Sequence, residues 1–343
     1  MRTTRTSILV AVALLAGVVT DALAQQKPPA RGIVNITGQL YRAQNDNHYT
    51  VYLVTPEGVI MSDPINRDFG RWLKAEIATR HKVPVRYVLY THKDWDHASG
   101  GVVFADTATF VGHANMRAGV ALPGGTPALP ENTAKMDANR NGLLERSEAA
   151  GATAAQFDLI DFNRDGILTP NELLRGPVND VHLPSETFRE RHTVTFGGKR
   201  VIMIPLGTAH TNDSTVLYFP DERTVFSADV MQVRRLPQSL EPSVGAYINA
   251  LRTIQSLDYD HAATGHALMG TKKDVAQSLQ YLEDLSKGVA AGIGAGRSVQ
   301  EIQKTLMLEP YKGFERWDTH RTVHIAQVYE TIMGSPRTAT PTN

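Results

Sequence analysis

Residues 91–101 have the sequence Thr-His-Lys-Asp-Trp-Asp-His-Ala-Ser-Gly-Gly, which places two imidazoles and two carboxylates within six positions. The run Arg-Tyr-Val-Leu-Tyr-Thr at 86–91 leads directly into this loop and favours a short buried strand. A strand that ends in a loop of His and Asp presents metal ligands from a rigid edge. A solvated polar loop is the simpler alternative, and the further candidate ligands described below weigh against it.

This loop resembles the metal-binding signature of the metallo-β-lactamase superfamily, with Asp94 where most members carry a second His. Apart from one insertion, the resemblance runs from about Ile33 to about Gly334, and it implies an α/β fold, the αββα sandwich. It includes the segments 206–214, 225–229 and 262–267. Carried over residue by residue, it implies a first metal site of His92, Asp94 and His210, a second site of Asp96, His97 and His266, and a bridging Asp229.

The resemblance implies a hydrolase in which two zinc ions hold a hydroxide between them, and Asp96 is both a ligand and a candidate proton acceptor. The expected substrate is a small molecule with an ester, lactam, thioester or phosphoester bond, and β-lactams are among the candidates. The fold alone does not select one of these, because it serves many chemistries.

Asp94 motivates two alternatives. Three carboxylates around two divalent ions weaken their Lewis acidity and favour iron or manganese, and the flavodiiron proteins resemble this chain in carrying a carboxylate at this place. A di-iron or manganese oxidoreductase is therefore a second hypothesis. The flavodiiron proteins carry Glu at this place, and Asp is one methylene shorter. A first site that is altered, or a centre with only one metal ion, is therefore also a possible outcome. A third hypothesis is a non-catalytic, calcium-dependent binding protein.

Two segments outside the resemblance, 137–148 and 161–172, match the twelve-residue calcium loop of an EF-hand and begin 24 positions apart. Such a loop supplies oxygens at fixed positions around Ca²⁺, and a glycine at the sixth position makes its sharp turn. Leu144 and Leu168 are expected to pair across the two loops. The predicted calcium ligands are Asp137, Asn139, Asn141, Leu143, Glu145, Glu148, Asp161, Asn163, Asp165, Ile167, Thr169 and Glu172.

These motifs divide the chain into a first half of the sandwich at 32–130, a small all-α insertion carrying two Ca²⁺ ions at 131–176, and a second half at 177–334. Residues 335–343 are predicted to be a loose tail. His320 and His324, four positions apart on the last predicted helix, are expected to form a pair at its surface.

Composition limits the chemistry further. The chain has no cysteine, which excludes disulfides, thiolate metal sites and cysteine nucleophiles. Its formal net charge is zero, so nucleic acid is not an expected partner. Residues 1–24 have the charged, apolar and small-residue regions of an export signal, which predicts cleavage after Ala24, a periplasmic or secreted product and no membrane contact afterwards. The oligomeric state stays open.

Overall fold

The structure, a computed structural model, describes residues 28–334, so the predicted export signal and tail lie outside the described residues. Within that range no helix is both long enough and apolar enough to cross a bilayer. The strands in chain order are β1 (Arg31–Thr37), β2 (Leu40–Asn45), β3 (His48–Thr55), β4 (Gly58–Ser62), β5 (Val85–Leu89), β6 (Thr109–His113), β7 (Leu144–Glu145), β8 (Ile167–Leu168), β9 (Glu186–Phe188), β10 (His192–Phe196), β11 (Lys199–Pro205), β12 (Thr215–Phe219), β13 (Thr224–Ser227), β14 (His261–Thr264) and β15 (Gly270–Thr271).

The strands form two mixed sheets and one short pair. The first sheet has the order β1-β2-β3-β4-β5-β6-β9, antiparallel as far as β4 and parallel from there. The second sheet has the order β10-β11-β12-β13-β14-β15, in which only β13 and β14 are parallel. Because β9 joins the first sheet beside β6, the boundary at 177 does not coincide with the change from one sheet to the other.

The longest helices cover the outer faces of the sheets, and the shorter helices lie in the connecting segments and in the segment 131–176. The helices are α1 (Arg67–His81), α2 (Trp95–Ala98), α3 (Asn115–Gly119), α4 (Glu131–Ala134), α5 (Gly151–Ala155), α6 (Phe157–Ile160), α7 (Pro170–Arg175), α8 (Val244–Gln255), α9 (Lys272–Gly294), α10 (Val299–Thr305) and α11 (Trp317–Met333), with 3₁₀ turns at Gly101–Phe104 and Glu309–Tyr311. The Asn66 side chain caps α1 by accepting from the Phe69 N–H, and the left-handed Lys82 ends it.

Three apolar layers result from this arrangement. Side chains such as Leu89 in the first sheet and Met203 in the second are fully buried in one cluster between the sheets. α1 packs Leu73 and Ile77 on the outside of the first sheet. α8, α9 and α11 cover the outside of the second sheet. Burial of apolar faces on both sides of each sheet gives the αββα sandwich that the sequence predicted.

The segment 131–176 lies outside both sheets. β7 and β8 pair antiparallel with Leu144 opposite Leu168, and both side chains are fully buried with Phe157 in a small cluster of their own. Each helix of the segment has only four to six residues. The expectation of an all-α unit is therefore not confirmed, since one-turn helices and a short strand pair frame the two loops.

The topology brings the ends of several strands to one edge of the sandwich. β13 and β14 are parallel with Ser227 opposite Thr264, so Asp229 and His266 each lie two residues beyond a paired position. β11 is antiparallel to β12, which is antiparallel to β13, so the loop after β11 that carries His210 opens at the same edge. The loop after β5 meets this edge through a hydrogen bond from the Thr215 N–H to the Thr91 carbonyl, 2.8 Å long.

Candidate metal centre

A buried aspartate anchors the loop of residues 91–101. Asp63, at the end of β4, accepts from the Thr91 N–H at 2.8 Å and from the Thr91 hydroxyl at 2.6 Å. Because that hydroxyl donates to Asp63, its oxygen accepts from Nδ1–H of His92 at 3.1 Å. This chain of bonds leaves the lone pair of His92 on Nε2, the tautomer that a metal ligand needs. Burial raises the pKa of Asp63 above its usual value.

His92, Asp94 and His210 form a first cluster. The Oδ2 atom of Asp94 lies 3.0 Å from Nε2 of His210 and 3.6 Å from Nε2 of His92. The shorter aspartate side chain therefore reaches the first cluster. The backbone of His210 has a φ of +67°. A residue other than glycine adopts this left-handed conformation only where its surroundings enforce it.

Asp96, His97 and His266 form a second cluster beside the first. Nε2 of His97 and Nε2 of His266 are 2.8 Å apart, and Oδ2 of Asp96 lies 3.5 Å from the latter. Asp229 lies between the two clusters. Its Oδ1 atom is 3.1 Å from Nε2 of His266, and its Oδ2 atom is 3.1 Å from Nε2 of His92.

The donor atoms suit a pair of divalent cations. A tetrahedral ion with bonds of about 2.0–2.2 Å separates its ligand atoms by roughly 3.3–3.6 Å, close to the separations in both clusters. Nε2 of His92 is buried and has no hydrogen-bond partner among the described residues, which fits a lone pair directed at a cation. All seven predicted ligands converge here, although the first and the last are 174 positions apart in the sequence (266 minus 92).

The electrostatics also favour cations. Burial opposes a charge on each imidazole, but the carboxylates outweigh it and raise the pKa of His210 and of His266 to about 9. Burial would likewise raise the pKa of Asp94 and of Asp229, yet the neighbouring histidines hold both well below the usual range. The negative potential that attracts protons here attracts metal ions equally, and a bound ion would replace those protons.

Sequence reasoning missed one histidine of this region. His48, at the start of β3, places Nε2 3.3 Å from Oδ2 of Asp96 and stacks edge-on to the His266 ring at 4.6 Å. It thus adds a third imidazole beside the second cluster. No local motif marks it, because its partners come from other strands far along the chain.

An open cleft of about 510 Å³ lies over the centre. Its walls include Trp95 from the ligand loop and the segment 232–241, which follows Asp229. Two arginines, Arg235 and Arg316, also line the cleft, and neither was predicted from the sequence. Helix α11 holds the segment 232–241 in place, because Nε2–H of His324 on this helix donates to the Pro237 carbonyl at 3.0 Å.

The two calcium-loop sequences adopt the same local geometry. In each, the carboxylate at the first position accepts from the N–H of the glycine at the sixth, Asp137 from Gly142 at 2.9 Å and Asp161 from Gly166 at 3.0 Å. Both glycines have positive φ values, +80° and +83°. The glutamate at the twelfth position closes each loop by accepting from the N–H at the second.

One atom of this unit is suited to a cation. Oδ1 of Asp161 is buried without a hydrogen-bond partner among the described residues. Glu172, also buried, faces the same loop. The other predicted calcium ligands lie along the same two loops, where they bond mainly to one another and to loop N–H groups.

Comparison with known proteins supports the fold. The family model described as the metallo-beta-lactamase superfamily matches residues 46–266. The linear primary-alkylsulfatase of a Pseudomonas species is 26% identical over 183 residues, which are 53% of this chain and 33% of that protein. The chain thus spans about a third of the length of the curated relative that it matches.

Two solved structures share the architecture. The stereoselective inverting sec-alkylsulfatase Pisa1 from Pseudomonas sp. superposes with a TM-score of 0.60 at 13% identity, covering 89% of this chain and 51% of that one. A metallo-beta-lactamase from Pontibacter korlensis gives a TM-score of 0.50 at 16% identity, covering 74% of this chain and 99% of that one. At these identities the likeness shows the fold alone.

Proposed function

The chain belongs to the metallo-β-lactamase superfamily, and from that premise we propose that it is a metal-dependent hydrolase of a small molecule. The observation that supports this most is the convergence of four histidines and three aspartates on two adjacent positions at the open edge of the sandwich. A buried cluster of like-charged carboxylates is costly unless cations compensate it. The cleft above it gives a substrate direct access.

In this proposal each residue has a defined task. His92, Asp94 and His210 would hold one ion, the second cluster would hold the other, and Asp229 would join them. Two divalent ions held there would lower the pKa of water and polarise the bond to be cleaved. Asp63 and Thr91 keep the first imidazole in the right tautomer. Asp96, at the cleft floor, would accept the proton released by the attacking water.

The proposed substrates carry an ester, lactam, thioester or phosphoester bond. A sulfate ester joins this group because the curated relative is named an alkylsulfatase and matches just over half of this chain. β-Lactams stay in it through the superfamily.

The test combines elemental analysis with a substrate panel. We expect about two zinc ions per chain and hydrolysis of at least one of nitrocefin, a thioester, a phosphodiester and an aryl sulfate. Zinc-loaded protein that leaves all of these unchanged would remove the support for a hydrolase.

A di-iron or manganese oxidoreductase is the second candidate, and the position of Asp94 favours it. The carboxylate reaches the first cluster, so three carboxylates face the two ions and reduce their Lewis acidity. Two iron or manganese ions per chain, with oxygen consumption in place of hydrolysis, would support this candidate. Absence of any transition metal would favour the non-catalytic, calcium-dependent binding protein.

The proposal includes two Ca²⁺ ions in the loops at 137–148 and 161–172, acting as a structural clamp. The buried Oδ1 of Asp161 supports it, as do the matched hydrogen bonds of the two loops. The loops also connect to the metal centre. The Asn179 side chain donates to the carbonyls of Asp158 and Asp161, and the next residue, Asp180, accepts from the Gly100 N–H.

Export through residues 1–24 also belongs to the proposal. A compartment rich in calcium would keep even weak loops of this kind occupied. Sequencing the N-terminus of the protein recovered from the periplasm tests it, and a chain that begins at Gln25 is the expected result.

A further inference from the structure

Two arginines are brought together on one wall of the cleft by backbone pairing. The segment 234–236 runs beside Glu315, with the Leu236 N–H donating to the Glu315 carbonyl at 3.0 Å and the Glu315 N–H donating to the Arg234 carbonyl at 2.9 Å. Arg316 follows at once with a φ of +67° and begins α11. Arg235 and Arg316 therefore lie on paired, fixed segments and not on mobile loops.

Arg235 is buried but incompletely compensated. Only 6% of the residue is exposed, and one guanidinium N–H donates to the carbonyl of His266, a candidate ligand of the second cluster. Its Nε atom has no hydrogen-bond partner among the described residues, although the exposed Glu315 carboxylate lies 3.3 Å away. Glu315 compensates part of this charge, and no acceptor within residues 28–334 pairs with the Nη2 group, so Nη2 can donate to the oxygen of a ligand.

Arg316 adds a second positive charge with no carboxylate of its own. The guanidinium of Arg316 makes no ion pair and no hydrogen bond within residues 28–334, although the residue is half-buried in the cleft wall. Burial and the nearby charge of Arg235 lower the pKa of Arg316. Two guanidiniums that repel each other in a partly buried wall are stabilised when an anion lies between them.

The charge on the cleft wall differs between its two ends. Arg235 lies beside the second cluster, because it donates to the carbonyl of His266, and Arg316 lines the same cleft. The opposite end, at the first cluster, carries Glu241, whose carbonyl accepts from the His210 N–H. A substrate with one negative end therefore has a preferred direction in the cleft.

We infer that Arg235 and Arg316 form the binding site for the oxyanion group of the substrate, a sulfate or phosphate group, beside the second candidate metal site. Guanidinium groups match the oxygens of such an anion with paired, charge-assisted hydrogen bonds. This inference rests on the proposed hydrolase and narrows its substrate to a charged ester.

The experiment compares para-nitrophenyl sulfate, phosphate and acetate as substrates of the metal-loaded protein. Arg316→Gln removes the charge that has no structural partner, and Arg316→Lys restores charge without the paired donors. Arg234→Gln is the matched control, because this exposed arginine belongs to the same segment but is not among the residues that line the cleft. We expect Arg316→Gln to raise KM for the charged ester by about tenfold with a smaller change in kcat, while the acetate ester and the control stay at wild-type values.

These substrates distinguish sulfate from phosphate as the bound group, and they test the anion site separately from the proposed hydrolase. Turnover of the sulfate or of the phosphate identifies the group. If only the acetate ester is cleaved, inorganic sulfate and phosphate are tested as inhibitors, and equal inhibition of wild type and Arg316→Gln overturns the site while the hydrolase stands.

If none of these esters and none of the substrates of the earlier panel is cleaved, calorimetric titration with inorganic sulfate decides. Weaker sulfate binding in Arg316→Gln than in Arg234→Gln supports the anion site although the hydrolase fails. Equal binding in the two variants overturns both.

Discussion

The metal centre and the calcium-loop insertion are both acidic regions that suit cations, but they are built in opposite ways. The centre draws its side chains from segments between residues 92 and 266 and buries them where strand ends meet. Each predicted calcium loop takes all its candidate ligands from twelve consecutive residues. A local loop can hold its ion with little help from the rest of the molecule, whereas the centre exists only when both sheets are in register.

The largest expected effect tests the centre. Asp229→Asn removes the negative charge that lies within 3.3 Å of all four imidazoles, so we expect both transition metals to be lost and activity to fall by more than about a hundredfold. Elemental analysis and initial rates measure this. Asp318→Asn, an exposed carboxylate on α11, should retain metal and rate. Full metal content in Asp229→Asn would show that Asp229 does not join the two sites.

The second prediction tests the independence of the insertion. Removal of calcium should lower Tm by roughly 5–10 °C, since a ligand at a hundred times its Kd contributes about 2.7 kcal/mol. Glu172→Gln should abolish most of this calcium-dependent shift, and Glu131→Gln, outside both loops, should not. Transition-metal content is assayed before and after, and should stay constant. An unchanged Tm and rate on calcium removal would contradict the clamp.

The third prediction concerns pH. Acid should destabilise the cleft wall above the metal centre more than it destabilises the calcium-loop insertion. Residues 131–176 contain no histidine. Burial lowers the pKa of His324 to about 3, while Nδ1 accepts from the Tyr281 hydroxyl and Nε2 donates to Pro237. The folded state thus keeps His324 neutral, and the unfolded state binds a proton below its ordinary pKa of about 6.5.

The direction of the change in stability with pH follows from the number of protons bound in the folded and unfolded states. Between pH 6.5 and 3 the unfolded state binds more protons, so the stability that His324 contributes is present above pH 6.5 and is lost as the pH falls. From pH 7 to pH 5 we expect a loss of about 2 kcal/mol. The free energy of unfolding of His324→Gln should lack this component, while His192→Gln, at the start of β10, should retain it. Parallel pH curves for wild type and His324→Gln would refute the assignment.

The same contrast explains what the sequence could predict. The two calcium-loop motifs consist of consecutive residues, and the apolar spacing of Phe69, Leu73 and Ile77 is typical of a helix, which is where α1 lies. The ligands of the centre came through the resemblance, because no periodicity joins residue 92 to residue 266. Spacing alone made His320 and His324 a surface pair, which is wrong for His324, because α11 turns it into the core beneath the cleft.

Residues that act across sheets left no local signal at all. Arg235 and Arg316 meet only because the segments around 235 and 315 pair, and β9 joins the first sheet although it follows the insertion. Sequence separation, more than residue type, therefore set the limit of prediction.

The smallest expected effect lies at the junction between the two regions. Asn179 donates to the carbonyls of Asp158 and Asp161, and the residues that follow it support the ligand loop through the Gly100 N–H and a bridge between Ser99 and Val181. Asn179→Ala removes the side-chain bonds, so we expect a loss of about 1 kcal/mol, or roughly 2–4 °C in Tm. Asn171→Ala, on α7 of the same insertion, is the control.

The decisive measurement is the calcium titration of Asn179→Ala. If the clamp acts through this junction, calcium should still bind to the loops but should raise Tm by less than in wild type, because the ordered loop no longer holds the segment beneath the ligand loop. Calorimetry gives the binding and thermal unfolding gives the shift. An undiminished calcium-dependent shift would mean that the two cation regions are stabilised separately, and that the contrast between a local and an assembled site extends to their energetics.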